Sequence, residues 1–218
     1  TELTSKVQDH LEKLSGVRPT LLRLEVDKLC SAMFIQKSDV RESGTKKKYA
    51  AFVVWQGQPT FYLLTKGFQV ARHDSSQAQK DFQTQGLMLN LSEATMEQKT
   101  AFCETWKRRL YAGDLDDKIV MNKGLGKNPD EYRVVPPYLR VGRKLQEEGK
   151  TVLHRGDKIA YLKFGPKPED VMAVLPGVKL NLTREQYAYI FDNQFRRIAL
   201  RLGIDVPKET QPKQRRRQ

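Results

Sequence analysis

The residues best suited to bind a charged partner form one short run: Lys46, Lys47, Lys48 and Tyr49. Closely spaced ammonium groups attract phosphates and other anions. A basic run within a polar stretch is also what a solvated loop looks like, so the run alone does not decide between these two interpretations.

Two carboxylates, Glu25 and Asp27, form a second candidate pair. The chain alternates here between apolar and charged residues, from Leu22 to Asp27. In a strand, strict alternation places the charged side chains on one face and the apolar ones on the other. The alternative is an ordinary exposed strand face, whose carboxylates pair with Lys28.

The composition favours an acidic partner. The 218 residues include 39 Lys and Arg against 26 Asp and Glu, which gives a formal net charge of +13. Nucleic acid is the first partner that this charge suggests, and an anionic membrane surface is the second. The longest apolar runs are far shorter than the roughly 20 residues of a membrane span, so the sequence predicts a protein with no such span.

Cysteine and histidine offer little chemistry. Cys30 lies in an apolar run and Cys103 in a helical pattern, so both are predicted to be buried thiols. Neither has a Cys or His neighbour at the spacing of metal ligands. The three histidines are scattered along the chain. A metal site built on these residue types is therefore not expected.

The periodicities predict an α+β fold with an antiparallel sheet first and a mostly helical part after it. In the first part, the patterns indicate a helix at 4–14, strands at 22–26, 49–55 and 61–64, an exposed loop at 40–48 and an extended piece at 66–74. In the second part, helices are expected at 75–91, 96–111, 136–148 and 183–202. Shorter extended pieces are predicted there at 118–121, 157–164 and 171–175, with a loop at 122–130.

Motifs in the first part resemble those of family B DNA polymerases. Lys46-Lys47-Lys48-Tyr49-Ala50 is similar to the family's KKRYA motif. Upstream, residues 22–28 (LRLEVDK) resemble the family's LELEYEK strand. Downstream, Lys66-Gly67-Phe68 and the stretch from Arg72 to Ser76 resemble its KGxExVRRDxS segment.

The resemblance continues, in order, through the second part. Residues 123–132 (KGLGKNPDEY) are similar to a basic loop that leads to a thumb tyrosine. Residues 135–145 resemble the start of a PPHVxAAxKL helix, and residues 155–161 resemble a PGDRIxY strand. Residues 187–202 resemble the family's YYLENQLLPAVxRIL helix. The collinear order makes chance a poor explanation for matches that are individually weak.

The sequence lacks the family's YGDTDS and SLYPS strands, which carry the main metal-binding aspartates. The resemblance therefore implies the small subunit of a split archaeal or viral family B DNA polymerase. The alternative is a C-terminal piece of a longer polymerase. The implied domains are the C-terminal part of the palm at 1–73, the thumb at 74–204 and a basic, disordered tail at 205–218.

The resemblance also implies roles for individual residues. Lys46 to Tyr49 would contact the duplex behind the primer end, where minor-groove acceptors are nearly alike for all correct base pairs. Glu25 and Asp27 would be auxiliary carboxylates near the metal site. Arg72 would contact a primer phosphate and Asp74 would cap the following helix. The thumb residues that would grip the duplex are Lys123, Lys127, Tyr132, Arg140, Arg143 and Lys144.

The function implied by this resemblance is that of a subunit of a DNA-directed DNA polymerase. Its expected partners are a large catalytic subunit, the primer–template duplex and, through the large subunit, the incoming dNTP. That subunit would hold most of the Mg²⁺, so the isolated chain is expected to be inactive. The expected location is the cytoplasm, near the nucleoid, or the host cell if the source is viral. The alternatives are a stand-alone, sequence-nonspecific duplex-binding protein and, less well supported, a basic RNA-binding structural protein.

Overall fold

The computed structural model describes residues 2–19, 25–37, 44–175 and 179–208, and it confirms the α+β class. The strands are β1 (Leu29–Lys37), β2 (Gly44–Trp55), β3 (Pro59–Lys66), β4 (Met121–Gly124), β5 (Lys158–Lys163) and β6 (Val171–Ala173). The helices are α1 (Glu2–Ser15), α2 (Gln77–Leu91), α3 (Met96–Tyr111), α4 (Pro137–Glu147), α5 (Arg184–Ile190) and α6 (Arg197–Arg201). One three-stranded sheet has the order β1-β2-β3, and a second has the order β4-β5-β6.

The chain divides into two compact units. One comprises the described residues of Thr1–Met33 and Ala51–Leu64, and the other those of Phe34–Ala50 and Thr65–Gln218. This division follows internal packing, and the predicted palm and thumb domains remain predictions. No helix in the described part of the chain is long and apolar enough to cross a membrane.

The first unit leaves much apolar surface uncovered. Helix α1 has the predicted amphipathic pattern, yet it buries none of its residues. After the helix, Arg18 turns back to pair with Asp9 at 2.7 Å and Glu12 at 3.0 Å. Apolar side chains remain exposed on the helix, strand β1 and strand β3, including Leu14, Leu29, Met33 and Phe61. An amphipathic element with an uncovered apolar face gains little stability from its own unit.

The second unit has an aromatic core between its helices. The Phe82 ring is fully buried and meets Trp106 and Phe195 edge-on, with ring centroids 5.4 and 5.3 Å apart. It also stacks on Phe102 at 4.9 Å. Such pairs add stabilisation beyond the apolar area that they bury. This cluster joins α2, α3 and the C-terminal helical segment.

Capping boxes set where three of these helices begin. Thr95 with Gln98 and Thr183 with Gln186 form the boxes that their spacing predicts. The start of α2 differs from the prediction, because Ser76 with Gln79 forms its box and Asp74 does not cap it. The spacing of Ser76 and Gln79 is itself the sequence signal of a capping box.

The last predicted helix, 183–202, is interrupted. Between α5 and α6, residues Phe191–Arg196 form a π-helical segment, which widens the turn. Its Gln194 is 4% exposed and makes a hydrogen bond at each end of its carboxamide. The Gln194 carbonyl accepts from the Ser76 hydroxyl at 2.8 Å, and the Gln194 amide donates to the Ile119 carbonyl at 3.1 Å. A buried polar group retained in this way ties together segments far apart in sequence.

The second sheet packs against α4. Strand β5 pairs antiparallel with β4, with Lys123 opposite Ile159, and antiparallel with β6. Leu125, Leu139, Val141, Leu153 and Ile159 form the buried cluster beneath the sheet. A Cβ atom built on Gly142 would lie 2.7 Å from Ile159 Cδ1 and 2.9 Å from Leu153 Cδ1, so the helix approaches the sheet closely at its glycine.

Several sequence predictions are wrong or lie outside the described residues. Glu25 to Lys28 are not in a strand, which begins only at Leu29, and residues 20–24 are not described. Lys46, Lys47 and Lys48 belong to β2 and not to a loop, because the strand continues into polar sequence. The predicted extended piece at 66–74 contains a 3₁₀ turn at Gln69–Ala71.

Two further predictions need correction. Cys30 is exposed, whereas Cys103 is buried as predicted. Strand β4 begins at Met121, so the predicted extended piece at 118–121 is shifted along the chain and the predicted loop at 122–130 begins in the strand. Most of the predicted tail at 205–218 lies outside the described residues, but Val206 is buried and accepts a hydrogen bond from Arg196 at 2.7 Å.

The aromatic core yields a stability prediction. Replacing Phe82 with Ala should lower the free energy of unfolding by about 3–5 kcal/mol, because it leaves a cavity where four rings meet. Phe61→Ala is the matched control, since Phe61 is 71% exposed, and it should change the free energy by less than about 0.5 kcal/mol. Denaturant unfolding of both variants measures the difference, and equal losses would contradict this assignment of the core.

Candidate nucleic-acid interface

The basic run lies on strand β2, just before the part of the strand that is buried. Lys47 is exposed, Lys48 and Tyr49 are half-buried, and Ala50 is fully buried. The side chain of Lys46 lies outside the described residues. Lys47 has a φ of 60°, a left-handed conformation that is unusual for a residue with a side chain. Such backbone strain costs on the order of 1–3 kcal/mol and is found mainly at functional sites.

Asp74 joins two of the predicted DNA-binding cations. Its two oxygens accept from Arg72 Nε at 3.0 Å and from a terminal nitrogen of Arg72 at 3.1 Å. Lys123 Nζ donates to the same carboxylate at 3.2 Å. Lys123 lies on β4 and Arg72 just before α2, so this contact links segments from different parts of the second unit. A bidentate arginine pair also fixes the plane of the guanidinium group.

The two cations hold the Asp74 carboxylate in its charged form. The hydrogen bond from Arg72 is the largest cause, with a smaller one from Lys123, and together they outweigh partial burial and lower the pKa of Asp74 to about 2. Burial, with the Asp74 charge as a second cause, raises the pKa of the Tyr161 phenol. Asp74 is therefore an anion at neutral pH, and Tyr161 is a neutral phenol close to it.

Tyr132 holds the glycine-containing loop that follows β4. Its phenol oxygen accepts hydrogen bonds from the backbone N–H of Gly126 at 2.9 Å and of Lys127 at 3.3 Å. The Tyr132 ring meets Tyr138 edge-on at 6.5 Å, and Tyr138 in turn contacts Tyr161 at 6.1 Å. The Tyr132 phenol oxygen thus accepts two hydrogen bonds within the protein. Through these bonds and its ring contact, Tyr132 supports the loop that carries Lys127.

The three predicted cations of α4 have different roles. Arg143 is half-buried and donates to the carbonyl of Pro129 at 2.7 Å, which fastens the loop to the helix. Arg140 and Lys144 are exposed and four residues apart, so they lie on one face of α4. Arg140 and Lys144 can therefore reach a polyanion, whereas Arg143 is engaged in positioning the loop.

The predicted site residues whose side chains are described thus fall into four groups. Arg72 and Lys123 meet at Asp74, and Lys127, Tyr132 and Arg143 surround one loop. Arg140 and Lys144 share the exposed face of α4. Lys47, Lys48 and Tyr49 form the fourth group, on β2, and neither lysine makes an ion pair within the described part of the chain. Tyr138, Tyr161 and the bridging role of Asp74 were not predicted. Asp74 and Lys123 both belong to predicted motifs. Their contact was not predicted because the two residues lie far apart in sequence.

The predicted auxiliary carboxylates do not form a site of their own. Glu25 and Asp27 are exposed in the first unit, and Asp27 pairs with Lys28, as the alternative interpretation expected. Among the described residues, no group of three or more His, Cys, Asp or Glu side chains could hold a metal ion. The auxiliary role expected for Glu25 and Asp27 beside the carboxylates of another polypeptide stays a prediction.

Comparison with known proteins defines the class. The sequence-family model for DNA polymerase family B matches residues 6–199 of this chain. A DNA polymerase of Methanocaldococcus jannaschii is 26% identical over 92% of this chain, and one of Pyrococcus glycovorans is 24% identical over 92%. DNA polymerase II of Escherichia coli is 30% identical over 59% of the chain.

The chain belongs to DNA polymerase family B, because the family model covers most of its length. It also shares its fold with the family B DNA polymerase of Pyrobaculum calidifontis, at a TM-score of 0.66 and 20% identity over 95% of this chain. The chain spans only 12% of the M. jannaschii protein, 24% of the P. glycovorans protein and 25% of the P. calidifontis chain. It thus corresponds to a portion of these relatives.

The Asp74 contacts predict a measurable titration. Arg72→Gln should raise the pKa of Asp74 from about 2 toward its ordinary value, and Lys123→Gln should raise it less, because its hydrogen bond is the weaker cause. A depressed carboxyl pKa contributes stability that is present above the unfolded-state value and is lost as the pH falls through the folded value. NMR titration of the Asp74 carboxyl carbon tests this order, and a pKa unaffected by Arg72→Gln would contradict it.

Proposed function

We propose that this chain is the duplex-gripping part of a family B DNA polymerase, acting as the small subunit of a split enzyme. The observation that carries the proposal is the set of exposed or bridged cations at positions that match the family's motifs. These cations include Lys47 and Lys48 on β2, Lys127 on the loop, and Arg140 and Lys144 on α4. Phosphate contacts of this kind position a protein on a duplex independently of sequence.

In this proposal, each group of residues has a separate task. The lysines of β2 lie along the duplex behind the primer end, where they contact phosphates and minor-groove acceptors that all correct pairs share. The Arg72–Asp74–Lys123 cluster presents two cations at a fixed separation. Tyr132 and Arg143 act through the backbone and hold the loop that carries Lys127. None of these tasks involves making or breaking a covalent bond.

The chemistry itself is proposed to depend on a companion polypeptide. It would supply the exonuclease, the fingers and the catalytic aspartates, would bind the dNTP, and would hold the Mg²⁺ ions for nucleotidyl transfer. One observation supports such a partner. The first unit exposes an amphipathic helix and apolar strand residues that a partner could cover.

The first test removes the motif charges. Replacing Lys46, Lys47 and Lys48 with Ala should weaken binding to a short duplex about tenfold at 0.1 M salt, because each phosphate contact releases counterions. The slope of log affinity against log salt should fall by about one for each lysine that contacts a phosphate. Fluorescence anisotropy with two duplexes of unrelated sequence measures both quantities, and the losses should be the same on the two sequences.

The matched control removes the same charge elsewhere. Lys6, Lys13 and Lys167 are exposed, are not among the proposed interface residues, and are changed together to Ala. This control should retain most of the affinity and of the salt slope. Equal losses in the two triple variants would mean that only the net charge of the chain matters, and the motif assignment would then be wrong.

The second test concerns catalysis. The pure 218-residue chain should incorporate no nucleotide on a primed template, because the proposed catalytic aspartates are in the companion. Mixing it with the companion polypeptide should restore primer extension. The triple Lys46, Lys47 and Lys48 variant should associate normally with the companion but lose extension. Incorporation by the pure chain would contradict the proposed division of labour. Duplex binding by the chain that is not followed by any extension when the companion is added would favour the stand-alone DNA-binding alternative.

A further inference from the structure

The basic run Lys46 to Lys48 on β2 lies close to the Lys66-Gly67 pair at the end of β3. Gly67 follows β3 and has a φ of +76°. A Cβ atom built on Gly67 would fall well inside the contact distance of the Lys47 carbonyl oxygen and 2.8 Å from Lys48 Cγ. Any side chain at residue 67 would therefore collide with the backbone of the basic run.

The collision would be with the residue whose own backbone is strained. Lys47 has a φ of 60°, and its carbonyl is the group nearest to the missing Cβ. Glycine permits this close approach because it has no side chain and adopts positive φ without penalty. The left-handed turn of the chain at Lys47 sets the direction in which the strand presents Lys47 and then Lys48.

The turn that contains Gly67 is anchored and cannot easily retreat. The next residue, Phe68, is 4% exposed, and its ring lies 6.3 Å from that of Phe34. The N–H of Val70 donates to the buried Gln83 side chain at 3.0 Å, which ties the 3₁₀ turn to α2. A side chain at residue 67 would therefore displace strand β2 at Lys47 more readily than it would displace its own turn.

We infer that Gly67 is a positioning residue for duplex binding: its lack of a side chain holds Lys47 and Lys48 in the geometry that contacts the backbone of DNA. The inference rests on the proposed function and deepens it. It explains in physical terms why a Lys-Gly pair accompanies the basic run, since the two motifs form one structural unit. Gly67 itself contributes no charge and contacts no DNA.

The experiment compares two glycines that share the same backbone strain. Gly57 has a φ of +72°, and a Cβ built there would meet nothing within 4 Å. Gly57→Ala and Gly67→Ala thus both place alanine in a left-handed conformation, but only the second collides with Lys47. Duplex binding of the full 218-residue chain should weaken about tenfold for Gly67→Ala, a clear change in a measured Kd, and should not change for Gly57→Ala.

A double-mutant cycle separates positioning from general damage. In a chain that already carries Lys47→Ala and Lys48→Ala, the further change Gly67→Ala should weaken binding less than twofold, because the groups it positions are gone. A merely structural role would give the same loss in both backgrounds, and that result would overturn the inference. So would a Gly67→Ala variant that binds like the parent chain.

The same measurements distinguish failure of the inference from failure of the proposed function. If the two lysine changes alone leave binding unaffected, the proposed function of the run is wrong, whatever Gly67→Ala does. If Gly67→Ala does not fold, two variants of residue 47 decide the question. Lys47→Asn and Lys47→Val both remove the ammonium group, but only Asn tolerates a positive φ. The inference predicts tighter duplex binding by Lys47→Asn, and equal binding would overturn it.

Discussion

The geometry of the Arg72 and Lys123 part of the basic surface depends on one carboxylate, that of Asp74. Two cations are held close together at lower electrostatic cost when an anion lies between them. Asp74 accepts a bidentate pair from Arg72 and a further hydrogen bond from Lys123, so two positive groups are held close together at fixed positions. The cluster still carries one net positive charge, which remains available to attract a polyanion.

The buried frame places these groups within reach of each other. Gln194, in the π-helical segment, bonds both Ser76 and the carbonyl of Ile119. Ser76 caps α2 two residues after Asp74, and Ile119 shortly precedes the strand that carries Lys123. A single buried carboxamide therefore fixes the two segments whose charges meet at the surface. Widening of the helix at this point is consistent with the frequent occurrence of π segments at functional sites.

Local signals in the sequence predicted the helices well, because a capping box or a glycine stop depends only on neighbouring residues. The class of fold and the basic positions followed from the same kind of signal and from the family motifs. The strand at Lys46 to Lys48 was missed because its polar residues lack the alternation of a half-buried strand. The Asp74–Lys123 contact, the Gln194 network and the approach of Gly67 to Lys47 depend on tertiary packing, which periodicity does not encode.

The central claim is that the β2 lysines, the loop after β4 and the exposed cations of α4 face duplex DNA. Cross-linking to a primer–template duplex with photoreactive phosphate groups, followed by mass spectrometry, tests it most directly. The account predicts cross-links in peptides that contain Lys47 and Lys48, Lys127, or Arg140 and Lys144. Helix α3 is the internal comparison, because it also carries adjacent cations, Lys107, Arg108 and Arg109. Cross-links confined to α3, with none in the predicted peptides, would contradict the account.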